Sequence, residues 1–192
     1  MDDPRFVLGI VSGALSLLAY VIYIFASVFG KTRPNRVTWW VLTLVGVLIA
    51  SSYYAEGARN TFWIALSYTL GPLIIAIVSI WRGEGGSSKF DLFCLGVALA
   101  SILVWILSGS ALLTLLVNML IDLFGLLPTI KKSFLKPEGE NRGAWLLETV
   151  ASFLAILAVE EWLFSIWIYP LYLVLLNGAI TLLLYRKGLF KS

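Results

Sequence analysis

The spacing of charged side chains constrains this chain more than any other feature. No charge occurs from Phe6 to Gly30, Val37 to Tyr54, Thr61 to Trp81 or Trp162 to Tyr185. Three further apolar stretches, Phe90 to Leu107, Ala111 to Ile130 and Gly143 to Val159, carry one carboxylate each. A helix crosses the bilayer core with roughly 17 to 25 mostly apolar residues, so these seven stretches predict seven transmembrane helices. Soluble domains have about a quarter of their residues charged; here 13% are charged and 60% apolar. That balance excludes a soluble fold, and the apolar runs exclude disorder. The connections are too short for a soluble domain between the spans. The first span opens with Asp2 and Asp3 in place of a basic region and is expected to be retained, not cleaved as a signal peptide.

Orientation follows from Lys and Arg, which accumulate in cytoplasmic loops. With the N-terminus outside and the C-terminus cytoplasmic, 12 of the 14 basic residues fall inside, and only Arg5 and Arg59 face out. This split favours an odd number of spans in a cell membrane. The net charge of +3 is then a topogenic signal, and nucleic acid is not an expected partner. Histidine is absent, which excludes imidazole proton relays, haem ligation and Ser-His triads. The single cysteine, Cys94, reads as a packing residue in an apolar run. No metal or cofactor is expected, and no enzyme assembles from the remaining groups.

The chain also repeats itself. An offset of 106 lays Asn35-Arg36-Val37-Thr38-Trp39-Trp40 over Asn141-Arg142-Gly143-Ala144-Trp145-Leu146, and Leu70-Gly71-Pro72 over Leu176-Asn177-Gly178. In spans one and five the polar residues correspond at an offset of 102: Ser12, Ser16, Tyr20, Tyr23 and Ser27 against Thr114, Asn118, Asp122, Gly125 and Thr129. Both sets step 4, 4, 3, 4, which draws one stripe down a helix face at 3.6 residues per turn. Such stripes line a polar path, or they simply cement membrane helices together. One helix left over between two triplets makes the repeat parallel. The expected organisation is a bundle over 1–82, a linker helix over 83–110 and a second bundle over 111–192.

This three-plus-one-plus-three arrangement resembles the SWEET and PQ-loop group of small-solute transporters, with the nicotinamide riboside type of vitamin transporter as a related possibility. Leu127-Pro128-Thr129-Ile130-Lys131-Lys132, followed by Lys136-Pro137, is similar to the group's PQ-loop motif. Asn177-Gly178 is similar to its solute-facing asparagine element. Thr129 stands where that motif has glutamine, Ala26 occupies the place of Pro128 in the first half, and Gly71 replaces the asparagine there. Spans two and six contain no proline. The resemblance implies alternating access by rocking of one bundle against the other around a midplane site.

Particular residues then become candidates. Asp122, at mid-depth in span five, costs roughly 2.5 to 3.5 kcal/mol to insert if ionised, and residues of that kind usually face a wet interior. No Lys or Arg lies at its depth, so Asp122 is neutral, hydrated or hydrogen-bonded to a neighbour such as Asn118. The substrate-binding set expected is Asp122, Asn118, Asn177, Trp167 and Tyr20, with an aromatic ring stacking on the solute and Asn177 supplying donor and acceptor. Glu148, Trp145, Trp39 and Pro128 are the gate residues, with Glu148 either pairing with Lys131 or Lys132 or snorkelling to water. At least one of Trp39 and Trp40 belongs to the interfacial belt, as do Trp63 and Trp162. Glu160 and Glu161 read as solvated turn residues. The expected function is transport of a small polar solute, sugar-like or vitamin-like. The alternatives are a seven-helix ligand sensor or a non-transporting membrane protein of the same fold. Expected partners are the solute and the lipid bilayer, with a second copy of the chain left open.

Overall fold

Asn35 and Asn141, which the repeat superimposes, do the same local work. The Asn35 Oδ1 accepts from the Thr38 amide at 3.1 Å and the Asn141 Oδ1 from the Ala144 amide at 3.0 Å. Each satisfies an amide that the first helical turn leaves without a partner. In the computed structural model, which describes residues 3–55, 57–83, 89, 92–93, 96–97, 99–100, 103, 107 and 110–189, these caps begin α2 (Arg36–Ala55) and α5 (Arg142–Leu157). The other helices are α1 (Pro4–Val28), α3 (Phe62–Arg82), α4 (Ala111–Leu135) and α6 (Phe164–Leu189), with a 3-10 turn at Pro137–Gly139. Asp3 caps α1 through the Arg5 amide and Ser110 caps α4 through that of Leu113. Gly30 (φ +74°) and Gly57 (φ +78°) end α1 and α2 in the left-handed conformation that a side chain disfavours.

Five of these helices, α1, α2, α3, α4 and α6, are long and apolar enough to cross a membrane, which marks the chain as a membrane protein. The sixth, α5, has 16 residues, about 24 Å at 1.5 Å per residue. Against expectation, α4 continues past Ile130 to Leu135, carrying the basic loop's first lysines onto a helix. Most of the expected linker helix, with Asp91 and Cys94, lies outside the described residues.

Packing closes the helices into a ring. Each touches two principal neighbours, in the order α1, α3, α2, α4, α6, α5 and back to α1. Replacing every helix by the one three places later reproduces the same ring. Directions follow from matched contacts. Ser67 donates to Ser16 at 2.8 Å across a separation of 51 residues, and Tyr20 packs on Gly71, so α1 and α3 run parallel. Tyr172 meets Asp122 at a separation of 50, and Arg186 meets the Phe134 carbonyl at 52, so α4 and α6 are parallel in the same way. Helix α5 is antiparallel to α1, through Ser12 to Ala151 and Ser16 to Glu148, and to α6, through Ser152 to Asn177 and Thr149 to Thr181. The helices α1, α3, α4 and α6 therefore all point one way.

Small residues let the helices approach. A side chain at Gly9 or Gly13 would strike the Asn60 or Trp63 backbone, and one at Gly46 would strike that of Tyr68. Two apolar clusters result. One gathers Val45, Ile49, Tyr53, Leu115, Ile166 and Leu173 toward the Arg5 end, the other Trp39, Ile75, Leu126, Trp145, Ile180 and Leu184 toward the Lys132 end. The Arg5 end is fastened by Glu160, whose carboxylate accepts from the Arg59 and Asn60 amides at 2.5 and 3.0 Å and whose carbonyl accepts from Arg5 at 3.2 Å. Glu160 is thus a tie between chain segments, where the sequence suggested only a solvated residue.

Candidate functional site

Between the two apolar clusters lies a polar layer, and the two stripes build much of it. Ser12, Ser16, Tyr20, Tyr23 and Ser27 are all buried, as are Thr114, Asn118, Asp122 and Gly125, with Thr129 half-buried. The stripes point inward while Val7, Leu18, Val21, Phe25, Leu116 and Leu120 on the opposite faces stay exposed for lipid. Burial of polar side chains demands hydrogen-bond partners, and the layer supplies them across helices. Ser16 donates to Glu148, 3.0 Å from each carboxylate oxygen. The Asn177 Nδ2 donates to the Tyr68 hydroxyl at 2.5 Å and to Ser152 at 3.0 Å, and Ser152 in turn donates to the Glu148 carbonyl at 2.7 Å. The Tyr172 hydroxyl donates to the Asp122 Oδ2 at 2.6 Å.

These groups surround a cavity of about 40 Å³ to which all six helices contribute. Its polar wall is Asp122, Glu148 and Asn177; its aromatic wall is Tyr20, Tyr23, Trp39, Tyr68, Trp145 and Tyr169. A water needs roughly 10 to 15 Å³ of such space, so the volume admits a few waters. A drug-sized ligand needs a pocket of about 300 Å³ or more, so the cavity in this conformation is too small for one.

Toward the Lys132 end a second space of about 200 Å³ is lined by Arg33, Asn35, Thr38, Thr129, Lys132 and Glu140. Tyr23 and Trp39 line both spaces and stand between them, ring centroids 5.0 Å apart. Trp145 joins this barrier by donating its Nε1 to the Glu140 Oε2 at 3.1 Å. The other Glu140 oxygen holds Lys132 Nζ at 3.0 Å. The barrier is therefore aromatic on the cavity side and ionic on the vestibule side. At the Arg5 end, packing is tighter: the Tyr53 hydroxyl donates to the Ile166 carbonyl at 2.6 Å and its ring meets Tyr169 edge-on at 5.5 Å.

The expected residues distribute unevenly over this geometry. Asp122, Asn177 and Tyr20 line the cavity, and Trp39 and Trp145 face it at the barrier. Trp40 is exposed, as a belt residue should be. Asn118 is fully buried in the same layer but is not among the cavity-lining residues. Trp167 stands apart from the cavity, packed edge-on against Phe164 at 5.5 Å near the Arg5 end. Its position one turn into the helix left both outcomes open. Pro128 is helical, but its side chain lies outside the described residues.

Glu148 differs most from expectation. It neither pairs with Lys132 nor snorkels to the protein surface; it is buried in the central layer beside Ser16 and lines the cavity. The ionic partner of Lys132 is Glu140, a residue sequence reasoning passed over. Its one signal was a pair of acids, Glu138 and Glu140, set against Lys131, Lys132 and Lys136 just before the Asn141 cap. Tyr68, Tyr169 and Tyr172 were missed because nothing in one sequence separates a lumen-facing tyrosine from a belt tyrosine. Asn177 also has both amide protons engaged, so toward the cavity it offers an acceptor alone.

No family model, no curated protein and no solved structure matches this chain.

Proposed function

We propose that the chain is a membrane transporter for a small polar solute, working by alternating access through the central cavity. The observation that supports this most is the cavity itself. It is a hydrated-scale space holding two carboxylates at mid-depth, sealed by packing at one end and by an aromatic barrier at the other. Intramembrane carboxylates facing a cavity mark solute or ion pathways. A structural bundle gains nothing from lining its centre with groups that cost several kcal/mol to bury.

The ring's two-fold relation favours a seven-helix reading in which 1–82 and 111–192 are parallel triplets. Helices α3 and α4 point the same way, which supports a seventh crossing by the chain between them. Bundles related by an axis along the membrane normal rock against each other around a midplane site. The contacts between α1 and α5 and between α2 and α4 are the seams of that motion. The basic residues then put the vestibule in the cytoplasm and Glu160 outside.

Solute flux tests the reading. Purified protein in liposomes should accelerate uptake of at least one radiolabelled solute from a panel of sugars, nucleosides, amino acids and organic cations over protein-free vesicles. Binding of a panel member without flux of any would make the chain a sensor instead.

A further inference from the structure

We infer that the solute this cavity takes is a small organic cation, a quaternary or protonated amine; the inference rests on the transport reading and narrows it. The wall has two carboxylates, Asp122 and Glu148, and among the described residues no Lys or Arg lines it. An anionic solute would face two acids with nothing to offset them. A cation instead compensates the burial of carboxylates that no basic side chain reaches among the described residues.

The hydrogen-bonding character of the wall points the same way. The Asn177 amide protons are committed to Tyr68 and Ser152, the Tyr172 proton to Asp122 and the Trp145 Nε1 proton to Glu140. What Asn177 and the two carboxylates leave for a solute is acceptors. The Asp122 and Glu148 carboxylates and the Asn177 carbonyl favour a solute that brings a positive charge or N–H donors over an anion. An ammonium group only donates, and a quaternary ammonium neither donates nor accepts.

Aromatic rings complete the match. Tyr20 stands edge-on to both Trp39 and Tyr68, with centroids 6.4 and 5.9 Å apart, and Tyr68 stands edge-on to Tyr169 at 6.2 Å. Perpendicular rings present faces in several directions around one space, the geometry of an aromatic cage. Ring faces attract a cation within about 6 Å of the centroid, most strongly where water is excluded.

Tetramethylammonium and choline are suitable probes because their fixed charge prevents leakage as a neutral base. Uptake of each, and of glucose, is measured in proteoliposomes under an inside-negative potassium diffusion potential. The expected result is saturable uptake of at least one cation, glucose at the protein-free level, and at least a tenfold loss in Glu148→Gln and Asp122→Asn. Competition in the wild-type protein, where choline but not glucose should suppress tetramethylammonium uptake, reads the preference even if a variant fails to fold. Glucose uptake without cation uptake would overturn the solute class and leave transport standing. Cation uptake undiminished in both folded variants would overturn the site. No uptake of any panel solute would overturn the transport reading along with it.

Discussion

Ser16 on α1 reaches both carboxylate oxygens of Glu148 on α5 at 3.0 Å, joining residues 132 positions apart in the chain. Ser67 extends the link to α3 at 2.8 Å. One serine hydroxyl thus anchors the acid of the second half to two helices of the first.

Ser16→Ala should therefore destabilise the protein by about 1 to 3 kcal/mol, because a buried carboxylate loses its donor. Ser12→Ala, which removes a hydroxyl bonded to the Ala151 carbonyl at 2.8 Å, should cost less, about 0.5 to 1.5 kcal/mol. Denaturant unfolding of the two variants in the same micelle checks the order; equal stabilities would deny Ser16 its role at Glu148.

Tyr20 and Gly71 should behave as one unit. A β-carbon at position 71 would fall on the Tyr20 ring, so Gly71→Ala should cost about 1 to 3 kcal/mol by overpacking. In a Tyr20→Ala background much of that cost should vanish, giving a coupling of about 0.5 to 3 kcal/mol in a double-mutant cycle. Additive losses would mean the two residues do not touch.

The inner barrier should weaken when its ionic side is removed. In a Cys94→Ser background, a cysteine at Ala19, on the cavity wall, reports water access from the vestibule. Glu140→Gln frees Lys132 and weakens the hold on Trp145. Labelling of Ala19→Cys by a membrane-impermeant thiol reagent should rise about tenfold, by analogy with a gate shifted by about 1.4 kcal/mol. Trp145→Phe should raise it similarly, and the double variant no further.

How much of this could be read from the residues depended on how local the determinant was. The helices were legible because uncharged apolar runs admit one solution in lipid, and the repeat was legible because Asn35 and Asn141 meet the same capping need. The inward stripe was legible from its 4, 4, 3, 4 stepping, since periodicity fixes a face. Glu148 was misjudged because depth along a helix does not reveal what faces it: Ser16 lies in another span and makes burial tolerable there. Glu140 and Tyr172 acquire their importance from contacts with Trp145 and Asp122 that no spacing rule anticipates. Trp167 illustrates the converse, since a ring of suitable depth turned toward Phe164 and away from the cavity.

The two ends of the ring should lie on opposite sides of the membrane. Single cysteines at Gly30 and Glu138 should be modified only from the cytoplasm, and at Gly57 and Glu161 only from outside; all four positions are exposed. A cysteine at Ser110, where α4 begins, should label with the Gly57 group. Labelling together with Gly30 would remove the return crossing between α3 and α4 on which the seven-helix reading depends.

Access to the cavity from both sides is the most direct measure of the central claim. With cysteine in place of Asn177 in a Cys94→Ser background, impermeant thiol reagents are applied to oriented vesicles from each face in turn. Alternating access predicts modification from both faces, slower from the Glu160 side where Tyr53 and Ile166 close the packing. Modification from one face only, or from neither, would contradict it.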